Sequence, residues 1–271
     1  MIAYLVDVEF VWGFQARIVG LSKTNPSFLY PPPTTFLGAL AETIAKKYRF
    51  GEKKGVDVIP ALSKNLSGIG FRPLNFIPLR YEDINRIIAV RIRSGKLYPN
   101  PEDLGGSFDS PARGKTVLTS LDSEAPCMRW FLVFRNEEIT IGGQEFSLDE
   151  NYFWKIRRLG SKESLVSVVN VEKIENISIA RGNVVYTMYS FPFSSDMRTR
   201  TLDGYWEKEI YVNPFNMQFY NPVKSYIEGE WLMTFYTPIM KTKEPPEMEV
   251  ELKPGFKAYN LGKEGTVIGK E

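Results

Sequence analysis

Apolar residues alternate from the start of the chain. Ile2, Tyr4, Val6, Val8 and Phe10 occupy every second position, the period of a strand with one face in a core. Asp7 and Glu9 interrupt the stretch, so it reads as a strand entering a core and not as a secretion signal or a membrane span. The period changes within YPPPTTFLGALAETIAKKY, residues 30–48. From Thr34 onward Leu37, Leu40, Ala41, Ile44 and Tyr48 share one helical stripe, while Glu42 and Lys46 face away at the i, i+4 spacing of an ion pair. Pro33 suits the first helical turn, where a missing N–H is no loss, and Gly51 serves as a stop. Residues 52–85 hold no sustained period, are punctuated by Pro60, Pro73 and Pro78, and read as irregular. Ile88, Val90 and Ile92 then alternate with Ala89, Arg91 and Arg93, which predicts a strand with two arginines on one face.

Residues 94–115, SGKLYPNPEDLGGSFDSPARGK, are dense in Gly and Pro. A stretch this long without a period inside a domain is usually functional, and a protruding β-hairpin is the preferred reading. MRWFLVF, residues 128–134, is a core strand. Ser147 and Glu150 have the spacing of a capping box, opening a helix through Tyr152, Phe153, Ile156 and Leu159 that stops at Gly160. LVSVVNV, residues 165–171, is one more strand. Residues 1–171 therefore read strand, helix, strand, insertion, strand, helix, strand, an α+β, ferredoxin-like order with a hairpin inserted. Residues 172–271 are rich in aromatics and turns, without a convincing helix, and are expected to form a β-rich C-terminal region.

Composition narrows the chemistry. The 34 Lys and Arg against 32 acidic residues give a net charge of +2, so any basic surface must be local. The chain has no histidine, which excludes histidine general bases, serine–histidine triads and imidazole metal sites. The single cysteine, Cys127, has no partner for a disulfide and no histidine to activate it. With no signal peptide or long apolar run, a cytoplasmic protein without a membrane role is expected. No phosphate-binding glycine loop is present, and the carboxylates show no metal-site spacing, so no cofactor and no metal are called for.

Three places carry candidate chemistry. WKIRRLGSKE, residues 154–163, sets Lys155, Arg157 and Arg158 before a turn of Gly160, Ser161 and Lys162. A glycine lets backbone amides approach a phosphate, and the flanking cations add charge-assisted bonds. Basic residues also simply suit the C-terminus of a helix, with the glycine as its cap. The helix entrance offers orphan N–H groups beside Thr34 and Thr35, and Gly38 costs about 1 kcal/mol relative to alanine in a helix interior. Close approach of a ligand or of another strand would account for it equally. In the hairpin region Arg86, Arg91, Arg93, Lys96, Arg113 and Lys115 interleave with Tyr98 and Phe108. That mixture suits single-stranded RNA and equally suits a solvated hairpin.

YPPPTTFLGALAETIA resembles the proline-rich helix entrance near the N-terminus of the CRISPR-associated Cas-five family. RRLGSKESLVSVVNVE is similar to that family's later glycine turn and following strand. The resemblance covers about residues 1–171. It implies a non-catalytic subunit of a type I Cascade surveillance complex with an RNA-recognition-like domain and a hairpin thumb over 94–115. Such a subunit grips the 5′ handle of the guide RNA, packs on backbone and large subunits, and meets target DNA only indirectly. By position, Pro33, Thr34, Thr35 and Gly38 fall on the family's helix entrance, and Gly160, Ser161, Lys162 and Glu163 on its turn. One branch of the family cuts precursor RNA with tyrosine, lysine and histidine. The alternative function, a metal-independent endoribonuclease of CRISPR repeat RNA, would here lack the histidine.

Overall fold

The alternating start of the chain is strand β1 (Ile2–Phe10) in a computed structural model that describes residues 1–16, 18, 26–84, 87–88, 90–109, 112–217 and 222–270. The strand is buried on both faces. Ile2, Tyr4, Val6, Val8 and Phe10 pack into one cluster with Phe36, Leu37 and Leu40 of helix α1 (Pro33–Lys47). Ala3 and Leu5 face the other way, against Tyr189, Tyr259 and Val267 from late in the chain. Asp7 shares that second face. Its burial is tolerated because Arg129 Nε and Nη2 donate to its carboxylate at 2.7 and 2.8 Å and Asn170 adds a contact at 3.3 Å. Glu264 accepts from the remaining edge of the guanidinium.

Helix α2 (Glu52–Asn65) leads into β2 (Leu66–Pro73), then β3 (Phe76–Ile84) and β4 (Ala112–Ser120) form a long hairpin before β5 (Cys127–Phe134). A short hairpin, β6 (Glu138–Ile141) and β7 (Gln144–Ser147), precedes the one-turn helix α3 (Glu150–Phe153) and β8 (Val166–Ile174). The remaining elements used below are β9 (Tyr205–Val212), α4 (Pro222–Glu228), β10 (Leu232–Ile239), β11 (Phe256–Asn260) and β12 (Thr266–Lys270). The main sheet has seven strands in the order β8, β1, β5, β2, β12, β11 and the short Ser178–Ile179 segment, with every neighbouring pair antiparallel. The protein is thus a mixed α/β fold dominated by strands. Its last hundred residues add three strands to the sheet that β1 begins. At their junction Gly269 stands opposite Gly68, and a Cβ on Gly269 would lie 1.9 Å from the Ser67 carbonyl oxygen, so only glycine permits the approach.

Several local expectations are corrected. The second core strand is β2 and not residues 88–92. Gly68 and Gly70 thin out its hydrophobic signal because neighbours crowd them; a Cβ on Gly70 would meet the Ser190 carbonyl at 2.9 Å. Ile88, Val90 and Ile92 are exposed by 61, 84 and 75%, so their alternation reports no core. Residues 52–65 are helical despite Pro60, because Val58 and Leu62 bury one stripe. The hairpin extends well beyond 94–115: its arms pair from Phe76 opposite Ser120 to Ile84 opposite Ala112. The 147–160 helix is only α3. Ser147 ends β7, and Asp149 is the cap, accepting from the Asn151 N–H at 3.1 Å. In the C-terminal region the described residues include one α-helix, α4, and a single 3₁₀ turn.

One buried carboxylate joins three of these parts. Glu209 on β9 accepts the Leu29 N–H at 2.8 Å, the Tyr30 N–H at 3.3 Å and the Tyr211 hydroxyl, with Arg80 of β3 at 3.8 Å. It therefore holds the residues entering the proline run, one arm of the hairpin and the C-terminal strands in fixed relation. Burial raises its carboxyl above the usual range, outweighing these partners. The folded chain then keeps this proton to higher pH than the unfolded chain, so the contribution to stability is largest below about pH 4.5 and falls as pH rises above it. Glu209→Gln is expected to flatten that fall. Glu209→Leu is expected to lose about 1–3 kcal/mol, since the two amides lose their acceptor. Denaturant unfolding across about pH 4 to 8 reads both effects.

Candidate functional site

The prolines set where α1 begins. Pro32 is extended and Pro33 opens the helix, with the Thr35 and Phe36 amides donating to the Pro32 carbonyl at 2.8 and 3.4 Å. No side chain caps this end. Phe36, Leu37, Leu40, Ala41 and Ile44 take the buried face, which leaves Thr35, Gly38, Ala39, Glu42 and Lys46 on the outer one. Thr34 is buried at the helix start.

The segment after α3 comes to lie along that outer face. Ile156 and Leu159 are buried, which sends Lys155, Arg157 and Arg158 outward. The chain then doubles back: Val166 N–H donates to the Arg157 carbonyl at 2.9 Å and Leu159 N–H to the Ser164 carbonyl at 3.0 Å. Gly160 at the bend has φ +130°, and a Cβ there would sit 2.7 Å from the Gln15 carbonyl oxygen. The glycine is required by this packing, not by a helix end. The Ser161 N–H donates to that same carbonyl at 3.0 Å, so it is not an open phosphate donor; Lys162 beside it is exposed.

Two hollows result. One, of about 570 Å³, is lined by Lys46, Lys47, Lys155, Arg157, Arg158 and Lys162. The other, of about 530 Å³, is lined by Gln15, Phe28, Thr34, Thr35, Gly38, Gly160, Val212 and Tyr226. Ala39, Glu42 and Arg158 border both, so the hollows form one groove beside α1. The two glycine-bearing segments singled out in the sequence meet here. Among the described residues Glu42 is the one carboxylate in the groove's lining, with Glu163 paired to Lys162 at 3.9 Å beside it. Lys46 reaches it at 2.7 Å and Arg158 at 3.0 Å, and the hydrogen bond from Lys46, aided by Arg158, holds it below the usual carboxylate range. Among the described residues no strand approaches Gly38: a Cβ built there meets no heavy atom within 4 Å.

Of the hairpin cations, Arg91, Arg93, Lys96 and Lys115 do not line the groove. Arg91 donates to the Gly106 and Phe108 carbonyls at 2.9 and 3.4 Å, bracing the hairpin tip. Arg93 and Lys96 are exposed at a tight turn. Lys115 lies 6.0 Å from the Tyr81 ring, the Arg113 side chain is outside the described ones, and Arg86 is outside the described residues. The hairpin does touch the groove floor, since Gln15 Nε2 donates to the Gly114 carbonyl at 3.4 Å. Sequence reasoning missed Ala39, Lys47 and the groove role of Glu42 and Lys46. The spacing of Thr35, Ala39, Glu42 and Lys46 at four, three and four residues was the available signal, one helical face beside the predicted entrance. Nothing in the sequence announced Gln15, Phe28 or Tyr226.

No family model matches the chain. A solved structure described as a CRISPR protein from Archaeoglobus fulgidus is 45% identical, covers 100% of both chains and superposes with a TM-score of 0.73. Two curated proteins of Saccharolobus solfataricus are also similar. "CRISPR-associated protein Cas5 2" is 26% identical over 67% of this chain, and "CRISPR system aCascade subunit Cas5 1" is 29% identical over 64% of it. The chain spans 64 and 65% of the length of these two curated relatives.

Because the Gly38 position faces open space in mid-helix, Gly38→Ala is expected to raise stability, by up to about 1 kcal/mol, as read by denaturant unfolding.

Proposed function

The chain belongs to the CRISPR-associated Cas5 family, and on that premise we propose that it is a non-catalytic subunit of a type I Cascade complex. Its α1 groove holds the 5′ handle of the guide RNA, and it caps the backbone filament while contacting the large subunit. Target DNA is met only through that assembly. The observation that carries this reading is the groove itself. Among the described residues six cations line one hollow, with Glu42 in the lining and Glu163 paired to Lys162 at 3.9 Å beside it, in a chain whose net charge is only +2. Phosphates pair with Lys46, Lys47, Lys155, Arg157, Arg158 and Lys162. Tyr226, half-buried at the other end, offers a ring face to a base, with the buried Phe28 ring packed behind it. Glycine at position 38 lets the strand pass close to the helix.

The strand order β8, β1, β5, β2, with α1 and α3 in the connections, supports the ferredoxin-like reading. The β3–β4 arm between β2 and β5 supports the thumb reading. The non-catalytic reading rests on the absence of the histidine that the cutting branch of the family uses.

Arg157→Glu combined with Lys162→Glu is expected to weaken handle-RNA binding at least about tenfold and to make its salt dependence shallower by about 0.7 for each phosphate no longer neutralised. Unchanged affinity and slope would remove the groove from the interface. Gly38→Ala is expected to weaken binding while stabilising the chain, a pair of opposite signs that ordinary misfolding cannot produce. Incubated in EDTA with repeat RNA, the purified chain is expected to leave the RNA intact; cleavage would favour the endoribonuclease alternative.

A further inference from the structure

A second basic hollow, of about 340 Å³, opens between the last turn of α2, the start of β2, the residue after β5, the 213–217 turn and the end of β12. Lys64, Arg135 and Lys270 line it, and among the described residues no carboxylate does. Among the described residues none of these three makes an ion pair, whereas Arg129, Arg158, Lys173 and Arg200 all reach carboxylates. Three like charges around one hollow repel one another unless an anion lies among them. The frame that holds them is well bonded. Arg135 N–H donates to the Asn65 carbonyl at 2.8 Å, and the Asn65 side chain bonds both the N–H and the carbonyl of Asn136 at 3.0 and 2.7 Å. The buried Ser63 hydroxyl donates to the Pro214 carbonyl at 2.6 Å and accepts from Met217 N–H at 3.0 Å. Asn213 is 9% exposed, and its amide oxygen accepts from the Phe215 N–H at 2.9 Å. Phe215 and Pro60, each half-buried, supply apolar surface on the same wall.

We propose that this hollow is a second anion site, taking a phosphodiester of a single-stranded nucleic acid with a base against Phe215 and Pro60. The inference rests on the reading that the chain holds a nucleic-acid strand, but the site shares no lining residue with the α1 groove. It lies off the end of β1 where Ile2 faces Phe134, and the helix entrance lies off the end where Phe10 faces Val166. RNA and DNA carry the same phosphate, so either polymer is a source.

The test uses the full chain with labelled oligouridylate and oligothymidylate of about 30 nucleotides, longer than the roughly 4–16 covered by one single-strand site. Lys64→Glu with Arg135→Glu is expected to weaken binding about tenfold and to make the salt slope shallower by about 0.7 for each phosphate released. The milder pair Lys64→Ala and Arg135→Ala should move both in the same direction by less. Both side chains are exposed, and thermal melts confirm that the variants fold. Loss with uridylate alone assigns RNA, loss with thymidylate alone assigns DNA, and loss with both assigns the shared phosphate. Unchanged affinity and slope in the pocket variants, with loss in Arg157→Glu/Lys162→Glu, would overturn the pocket and leave the groove standing. The reverse pattern supports the pocket and overturns the groove. A wild-type chain that binds neither polymer overturns both.

Discussion

Burial of β1 on both faces is the constraint from which the rest of the arrangement follows. A four-stranded sheet with helices on one side would ordinarily leave its other face to solvent, where aromatic residues of RNA-recognition modules stack bases. Here that face carries Ala3, Leu5, Phe131 and Val133, and Tyr189, Tyr259, Leu261 and Val267 lie on it. The Asp7–Arg129–Glu264 network closes the same layer. Base stacking on the sheet is therefore blocked by the chain's own C-terminal strands. On the helix side the outer face of α1 and the 155–162 segment remain accessible, which is where the proposed function places recognition.

Accessibility alone does not make a site; its walls must keep their spacing. The α1 entrance is held from below by Glu209, whose carboxylate binds the two amides preceding the proline run, and by the Tyr30 hydroxyl, which donates to the Pro238 carbonyl at 2.6 Å. The opposite wall is fixed by the mutual bonds of Gln15 with Ser161 and Ser164. Because Arg80 lies on the hairpin arm and Gln15 also reaches Gly114, the arm and the groove share a frame. A strand gripped in the groove is thus set in register with the hairpin without a contact between their cations.

Periodicity made the outer framework legible. β1, α1, β5 and β8 stand where the alternation and the 3.6-residue stripe placed them, since each buries a face with an unmixed pattern. It failed where packing overrode composition. β2 carries two glycines because Tyr189, Ser190 and Tyr259 press on it, and α2 keeps a proline because Val58 and Leu62 bury its stripe. Ile88, Val90 and Ile92 misled for the converse reason, as alternation without burial. The cations of 155–162 and the glycine of α1 were readable as separate motifs. Their meeting was not, because it depends on the double-back at Gly160, which is set by a contact with Gln15 far away in the chain.

Charge economy gives the last step. A chain at +2 has almost no long-range field with which to attract a polyanion. Some of the acids that balance its cations are held in pairs elsewhere, as in the Arg200–Glu249 and Lys253–Glu251 bridges of the C-terminal sheet. Local clusters of cations stand around the α1 groove, the hairpin tip and the α2–β12 hollow. At ordinary ionic strength the field of each cluster fades within about 8–10 Å. On the proposed reading, selection of a strand depends on how many of these separate places its phosphates reach at once. That is a geometric criterion, set by the sheet that spaces them, and it needs no high net charge.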